Sequence, residues 1–346
     1  MDEISLLCRV RSDIPERAPD EVAQGKAALF ALMGSDTTFV PTTTLRRRRT
    51  AQWIGFTALG AGVLTLALVA TNVLGFAGWR GGADAAAASV LESAALATLD
   101  VSDPVLAPGQ FLLVQTNAVY SAGVGDDAGT YHSYLQSYHD ELYIPADRDD
   151  DWVWARHPRE VYQTFGPESE KATELGQSGE AEELLRAPGG TFYGGSPTAI
   201  SGDYDTLPRD PHQLLNVIYL RTFTAGPSRD GEALVWIADV LRSGTVPADL
   251  RAALYKAAAG IPGVTVTEQQ ANLDSKTGIA IGRIETANNT RQDIIVDPVN
   301  GQFIGERTIS LGADGDIPAG TATTWTAVTT SIVDSAPVGG TQYGNH

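Results

Sequence analysis

The chain has 346 residues, 43% of them hydrophobic, enough for about two ordinary domains or one large one. The formal net charge is −18; the first 52 residues hold eight bases against seven acids, so the acid surplus falls after Trp79 and argues against nucleic-acid binding there, where phosphate needs the opposite sign. Cys8 is the only cysteine, which excludes an intramolecular disulfide and any multi-cysteine zinc or iron site.

Residues 1–45 read as a cytoplasmic leader of two short helical patterns separated by Pro15 and Pro19. Leu7 and Val10 lie on the apolar side of the first and Leu29 and Phe30 on that of the second. Neither helix can bury its face alone. The pair is therefore either a docking element for a cytoplasmic partner or a tail whose apolar residues rest on the bilayer surface.

From Trp53 to Trp79 no residue is charged. About 24 apolar residues give roughly 36 Å of helix, enough to cross a hydrocarbon core of about 30 Å. Arg46, Arg47, Arg48 and Arg49 precede the stretch and only Arg80 follows it closely, which places the N-terminus inside and the C-terminal part outside. Trp53 and Trp79 stand where indole rings favour the headgroup region. Residues 46–80 are thus expected to be a basic flank and a transmembrane helix in the lipid bilayer. A cleaved signal peptide is the alternative, with Ala83-Asp84-Ala85 as a small-residue site, although the apolar run is longer than usual and begins late.

Residues 81–100 read as a tether and a first helix, Ala85 to Leu99. The period then changes to that of strands: Gln110 to Tyr120, Tyr131 to Ile144, Asp151 to Arg156 and Glu160 to Phe165. Gly166 to Pro211 is rich in Gly, Pro, Ser and Glu and reads as a long excursion with one short helix at Glu180 to Arg186. Helical patterns follow at Pro211 to Phe223, Gly231 to Arg242 and Pro247 to Ala259. Strands return at Val264 to Glu268, Gly278 to Glu285, Arg291 to Val296, Gln302 to Ser310 and Thr323 to Val333. Asp297-Pro298-Val299-Asn300-Gly301 marks a hairpin turn between two of them. The order predicts an α+β class: one transmembrane helix plus an extracytoplasmic domain over 101–335, a curved antiparallel sheet packed on helices, with 336–346 a flexible tail.

Chemistry is sparse. His132 and His139 are seven apart, so on one strand they face opposite sides and do not chelate together. Asp147, Asp149, Asp150 and Asp151 lack the glycine and distal glutamate of a calcium loop and read as a solvated acidic turn. No G-x-S-x-G, S-x-x-K, H-E-x-x-H or P-loop pattern occurs. The expectation is a non-enzymatic protein with no catalytic residue, no metal and no cofactor. Tyr134, Tyr138, Trp152 and Trp154 either line a pocket for an apolar envelope ligand or are strand core.

The segments ISLLCRVRSDIP, APGQFLLVQT, TLPRDPHQLL, ALYKAAAGIPGV and IIVDPVNGQFIGE, with the Arg-flanked span, resemble an uncharacterised actinobacterial family of single-pass envelope proteins. In that family the genes often lie beside those of extracytoplasmic-function sigma factors. The resemblance implies an anti-sigma-like or signalling role, with residues 1–45 engaging a sigma factor. The element order also resembles the lipoprotein-carrier type of fold, which implies the rival reading: a membrane-tethered carrier or receptor for a lipid or other apolar ligand.

Overall fold

The computed structural model describes residues 81–101, 103–125, 129–176, 181–194 and 204–344. The leader, with Leu7, Val10, Leu29 and Phe30, and the expected span from Trp53 to Trp79 with its Arg46–Arg49 flank, lie outside the described residues. No helix among the described residues is long and apolar enough to cross a membrane.

Helix α1 (Ala85–Leu99) is started by Asp84, whose side chain accepts from the amide of Ala87 at 2.7 Å. Four strands follow: β1 (Phe111–Gly125), β2 (Tyr131–Pro145), β3 (Asp151–Arg156) and β4 (Glu160–Gln163). Then come α2 (Pro167–Gly176) and β5 (Glu183–Pro188), and next the helices α3 (Pro211–Arg221), α4 (Arg229–Leu241) and α5 (Ala248–Ala259). Strands β6 (Thr265–Leu273), β7 (Lys276–Glu285), β8 (Thr290–Val296), β9 (Phe303–Ser310), β10 (Ala322–Val333) and β11 (Thr341–Gln342) complete the chain. The class is α+β.

One 11-stranded sheet runs in the order β11-β5-β3-β2-β1-β10-β9-β8-β7-β6, with β4 paired to β2 off this path. All pairings are antiparallel except that of β11 with β5. Register decides which residues share a face: Ile281 stands opposite Ile294, and Ile279 opposite Val296. These apolar side chains and Phe303 meet α1, α3, α4 and α5 in the largest core.

The sheet is curved. Asp274, in the turn between β6 and β7, accepts from Asn117 Nδ2 on β1 at 2.8 Å, and Lys276 Nζ donates to Thr329 Oγ1 on β10 at 2.7 Å. Three strands separate β1 from β7 in the sheet order. In a flat sheet that separation is about 19 Å. The β6–β7 hairpin therefore curls over the face away from the helices, enclosing Leu273, Ala280, Ile295, Ile304 and Ala327.

Two expectations in the 166–211 excursion are corrected. The segment PESEKATELG forms α2 where loop is expected, and it buries only Ser169 and Ala172. The helix expected at Glu180 to Arg186 is instead β5, paired along its length with β3 from Glu183↔Arg156 to Pro188↔Asp151. Leu185 and Ala187 then alternate into a core with Trp152. The segment from 336 to 344, read as a tail, is tied to β5: Arg186 Nε donates to Gly339 O at 2.6 Å, its Nη2 to Pro337 O, and Tyr343 N donates to Arg186 O at 2.7 Å.

Candidate functional site

Alternation on β1 and β10 presents Leu112, Val328 and Thr330 on one face, since Val114 stands opposite Thr330 and Thr116 opposite Val328. Across from them lie Leu241 at the end of α4 and Val246 just before α5. Between sheet and helices is a half-open cleft of about 390 Å³, closed at one end by Phe303 and on one side by the segment 103–106.

Local sequence builds each wall. After α4 the chain must drop onto the sheet, and Gly244 makes this possible: its φ is +68°, and a Cβ there would stand 2.8 Å from Val114 Cγ1. Helix α5 begins at Pro247, which has no side-chain cap. The missing acceptor comes from far along the chain: Asp103 takes the Ala248 amide at 3.1 and 2.9 Å and faces Arg251 Nη2 at 3.7 Å. A carboxylate at a helix N-terminus is favourable by electrostatics as well as hydrogen bonding. This contact holds the 103–106 segment across the cleft.

The far wall is fixed by the β8–β9 turn. Gly301, at φ +69°, offers its carbonyl to Tyr255 Oη at 2.9 Å and to Thr98 Oγ1 at 3.0 Å. A Cβ on it would strike the Ala94 carbonyl oxygen and Thr98 Oγ1, so the turn seats tightly under α1.

The cleft is apolar inside and polar at its rim, where Asp103, Arg148 and Arg251 stand with Asn300 and Gln302. Arg251 Nη1 donates to Val246 O at 2.8 Å. The exposed guanidinium of Arg148 has no ion-pair partner among the described residues, and it sits in the acidic turn of Asp147, Asp149 and Asp150. The rim therefore carries both signs. An apolar interior with few convergent polar groups is the usual character of a small-molecule site, and the volume lies within the usual range of about 300–1,000 Å³.

None of the four aromatics picked from the sequence lines the cleft, and they do not meet at one site, although Trp152 and Trp154 share the cluster that backs Leu112 and Val328. Tyr134 is buried beside Gly176 of α2 and accepts from Gln136 Nε2 at 3.2 Å. Tyr138 meets Tyr120 edge-on at 5.0 Å between ring centroids, under the Arg159 guanidinium at 4.9 Å. Trp152 is core, packed with Ile144, Leu185 and Phe192, and Trp154 covers that cluster with its ring 5.4 Å from Phe192. Tyr134 and Ile144 are ten residues apart on β2, about 33 Å. His132 and His139 also part company: His132 Nδ1 lies 3.0 Å from Asp316 Oδ2 and His139 Nδ1 lies 2.6 Å from Asn117 Oδ1.

A second cavity, about 300 Å³, is lined by Tyr138, Asp140, Arg156, His157 and Arg159. It is filled with mutually compensating charge. Arg156 Nη1 donates to Glu183 Oε2 at 2.8 Å and to Tyr193 Oη at 3.0 Å. Burial pushes the Asp140 carboxyl up, against the opposing pull of Arg156.

No family model matches the chain, and no curated protein matches it. Among solved structures, a DUF1329 family protein from Desulfovibrio piger ATCC 29098 is similar over 71% of this chain and 92% of that one, at 9% identity and a TM-score of 0.17. A likeness of that size carries no argument about fold or function. The cleft has to be read from its own geometry.

Beside the cleft, α4 holds an ion pair whose carboxylate is buried against the sheet. Glu306 Oε1 accepts from Arg242 Nη1 at 2.9 Å and Oε2 from Gln292 Nε2 at 2.8 Å, while Asp239 shares Arg242 at 2.9 Å. Burial pushes the Glu306 carboxyl up to about 7, against the lowering effect of Arg242 and with some help from Asp239. Its ordinary value is 4.5. The folded state therefore binds more protons than the unfolded state between these values. The stability contribution is fully present below pH 4.5 and is lost as pH rises through 7. Glu306→Gln is expected to flatten that dependence and to raise stability at pH 8 by about 1–3 kcal/mol, measured by urea unfolding at pH 5 and pH 8. Equal pH slopes in both proteins would contradict this.

Proposed function

We propose that the protein is a membrane-anchored extracytoplasmic receptor that binds a small apolar or amphipathic molecule in the cleft between α4, α5 and the sheet. The observation that carries the reading is the cleft itself: a wall of Leu112, Leu241, Val246, Phe303 and Val328 under a polar rim. At about 30 Å³ per non-hydrogen atom, taking water's share of liquid volume as the guide, the space suits on the order of a dozen such atoms. That favours a short-chain or single-ring ligand over a whole phospholipid, and a receptor over a bulk lipid carrier.

Anchoring rests on the sequence. An uncharged stretch from Trp53 to Trp79 after Arg46–Arg49 supports a single-pass protein of the cytoplasmic membrane, N-terminus inside and the described domain outside. Binding rather than catalysis is our reading of the site, because its wall is apolar and its charged rim groups already have structural tasks in the case of Asp103 and Arg251.

The test uses straight-chain alcohols and carboxylates of increasing length, with the thermal midpoint of the full chain as readout. A ligand bound only by the folded state raises that midpoint. The shift is expected to peak at about eight to twelve carbons, as the cleft volume implies. It should vanish in Thr330→Trp, which places an indole in the cleft. No shift at any length, or the same shift in Thr330→Trp, would overturn the reading.

The signalling half of the proposal assigns residues 1–45 to a cytoplasmic regulator such as a sigma factor. It is supported by the apolar positions Leu7, Val10, Leu29 and Phe30 and by the actinobacterial resemblance. Full-length protein should retain a sigma factor on affinity capture, and a variant with these four residues changed to Asp should lose it. Equal capture by both, or none by either, would sink this half alone.

A further inference from the structure

The described chain begins at one end of the domain. The amide of Ala83 donates to Ala259 O and that of Asp84 to Val264 O, both at 2.9 Å, so Gly81 and Gly82 lie at the C-terminal end of α5. At the same end, Arg283 Nε donates to Pro262 O at 3.0 Å and Arg283 Nη1 to Ser228 Oγ at 3.1 Å. Ser228 is the N-cap of α4. Tyr219, near the end of α3, donates to Asp230 Oδ1 at 2.8 Å and lies under the Arg229 guanidinium at 3.9 Å. The loop joining α3 to α4 is thereby fixed to the end where the chain enters.

The last turn of α3 and the loop after it show two large apolar side chains to solvent, Leu220 at 76% exposed and Phe223 at 75%. Arg221 lies between them in the chain and Arg229 opens α4 beyond the loop. Of the acids nearby, Asp230 is engaged by Tyr219 and by Arg229 Nε at 3.6 Å, Glu285 by Arg283 at 2.9 Å and Asp84 by the α1 amide, while Glu232 stands beside Gly226 of the loop. The cleft opens at the other end. Lys256 pairs with Glu92 at 3.2 Å and Asp103 caps the start of α5, so α1 and α5 run antiparallel and the rim is about a helix length, roughly 18 Å, away.

We propose that Leu220 and Phe223, with Arg221 and Arg229, form a docking surface for the lipid bilayer that anchors the chain, and that they hold the cleft facing away from it. The inference rests on the reading of Trp53–Trp79 as a membrane span. Two exposed apolar residues alone are an ordinary surface. Their position is what distinguishes them: Trp79 precedes Gly81 by two residues, so at most about 7 Å of chain separates an interfacial indole from this end. Side chains held that near a bilayer can enter its interface without further loss of freedom, and each Arg near an anionic surface adds attraction.

The test uses the full chain in vesicles of phosphatidylcholine and phosphatidylglycerol. With Cys8→Ser as background, a single fluorescent label is placed by Ala225→Cys in the loop or by Val105→Cys near the cleft, and quenching by a headgroup nitroxide lipid is read. The label at 225 should be quenched at least twofold more than that at 105. Adding Leu220→Asp and Phe223→Asp, both exposed and so tolerable to the fold, should remove most of the difference. Equal quenching at the two sites, or quenching at 225 that survives both substitutions, would overturn the docking surface. Flotation of the same vesicles separates the two levels: protein that stays at the bottom of the gradient refutes the span itself, and the docking inference falls with it.

Discussion

Replacing Asp293 with alanine is expected to lower the stability of the domain by about 3–5 kcal/mol, because it removes a fully buried carboxylate shared by two arginines, leaving Arg291 without an ion-pair partner among the described residues and Arg307 with Glu268 alone. Asp293 is fully buried on β8, yet every acceptor position is used. Its Oδ1 takes Arg291 Nε at 3.0 Å and Thr267 Oγ1 at 2.9 Å; its Oδ2 takes Arg291 Nη2 and Arg307 Nε, each at 3.0 Å. Gly282 stands opposite on β7, and a Cβ there would strike the carboxylate, so the partner strand leaves room for this side chain and no larger arrangement. Asp293→Asn keeps the shape but cannot accept from both guanidinium groups through two oxygens, and should lose less. Urea unfolding followed by circular dichroism checks the order. A loss under about 1 kcal/mol for the alanine variant would show that water replaces the carboxylate with little penalty, as at an exposed ion pair.

Trp152→Ala should be comparably severe, at about 3–5 kcal/mol, through loss of transfer energy and the cavity left behind. The indole is 1% exposed, packs against Leu185, Ala187 and Phe192, and lies so close to Gly190 that a Cβ there would stand 2.8 Å from its ring. Its Nε1 donates to Arg148 O at 2.9 Å, which ties the acidic turn, and with it Arg148 at the cleft rim, to the core. Trp152→Phe separates the two effects. It keeps most of the packing and drops the hydrogen bond, so it should cost about 1–2 kcal/mol. Hydrogen exchange at Asp149 and Asp150 should then quicken in Trp152→Phe. Unchanged exchange would mean that the turn is held by other contacts.

Where period and turn chemistry agree, the sequence was readable. The apolar alternation of QFLLVQTNAVY and YHSYLQSYHDELYI became the central pair β1 and β2, and Asp297 to Gly301 became the turn between β8 and β9. Helices α3, α4 and α5 lie within two residues of the ranges expected from their periodicity, and α5 starts after Pro247 and ends at Gly260. The reading failed where local preference and tertiary pairing disagree. ELLRAP contains good helix formers, but β3 offers it a ladder and a tryptophan-lined core, and pairing won. In PESEKATELG almost no apolar residue is present to give a period, so a helix held mainly by Ser169 Oγ donating to Ser133 O at 2.7 Å and by Ala172 was invisible.

The site was less legible than the fold. Aromatic richness pointed to Tyr134, Tyr138, Trp152 and Trp154, yet large aromatics on central strands mostly serve packing, and the structure uses Tyr134 and Trp152 in that way. The cleft is made by residues with no shared motif: Leu112, Leu241, Val246, Phe303 and Val328 come from five separate segments. Only one signal was available in advance. Pro247 opens α5 without a polar cap of its own, so a helix start there needs an acceptor from elsewhere in the chain, and Asp103 is that acceptor.

Occupancy of the cleft is tested most directly by native mass spectrometry of the full chain purified from the cells that produce it, alongside Thr330→Trp prepared identically. An adduct of on the order of a dozen non-hydrogen atoms is expected on the unaltered chain and absent from Thr330→Trp at equal folded yield. An unaltered chain that carries no such adduct and acquires none from the alcohol and carboxylate series, or an adduct equally abundant in Thr330→Trp, would contradict that occupancy.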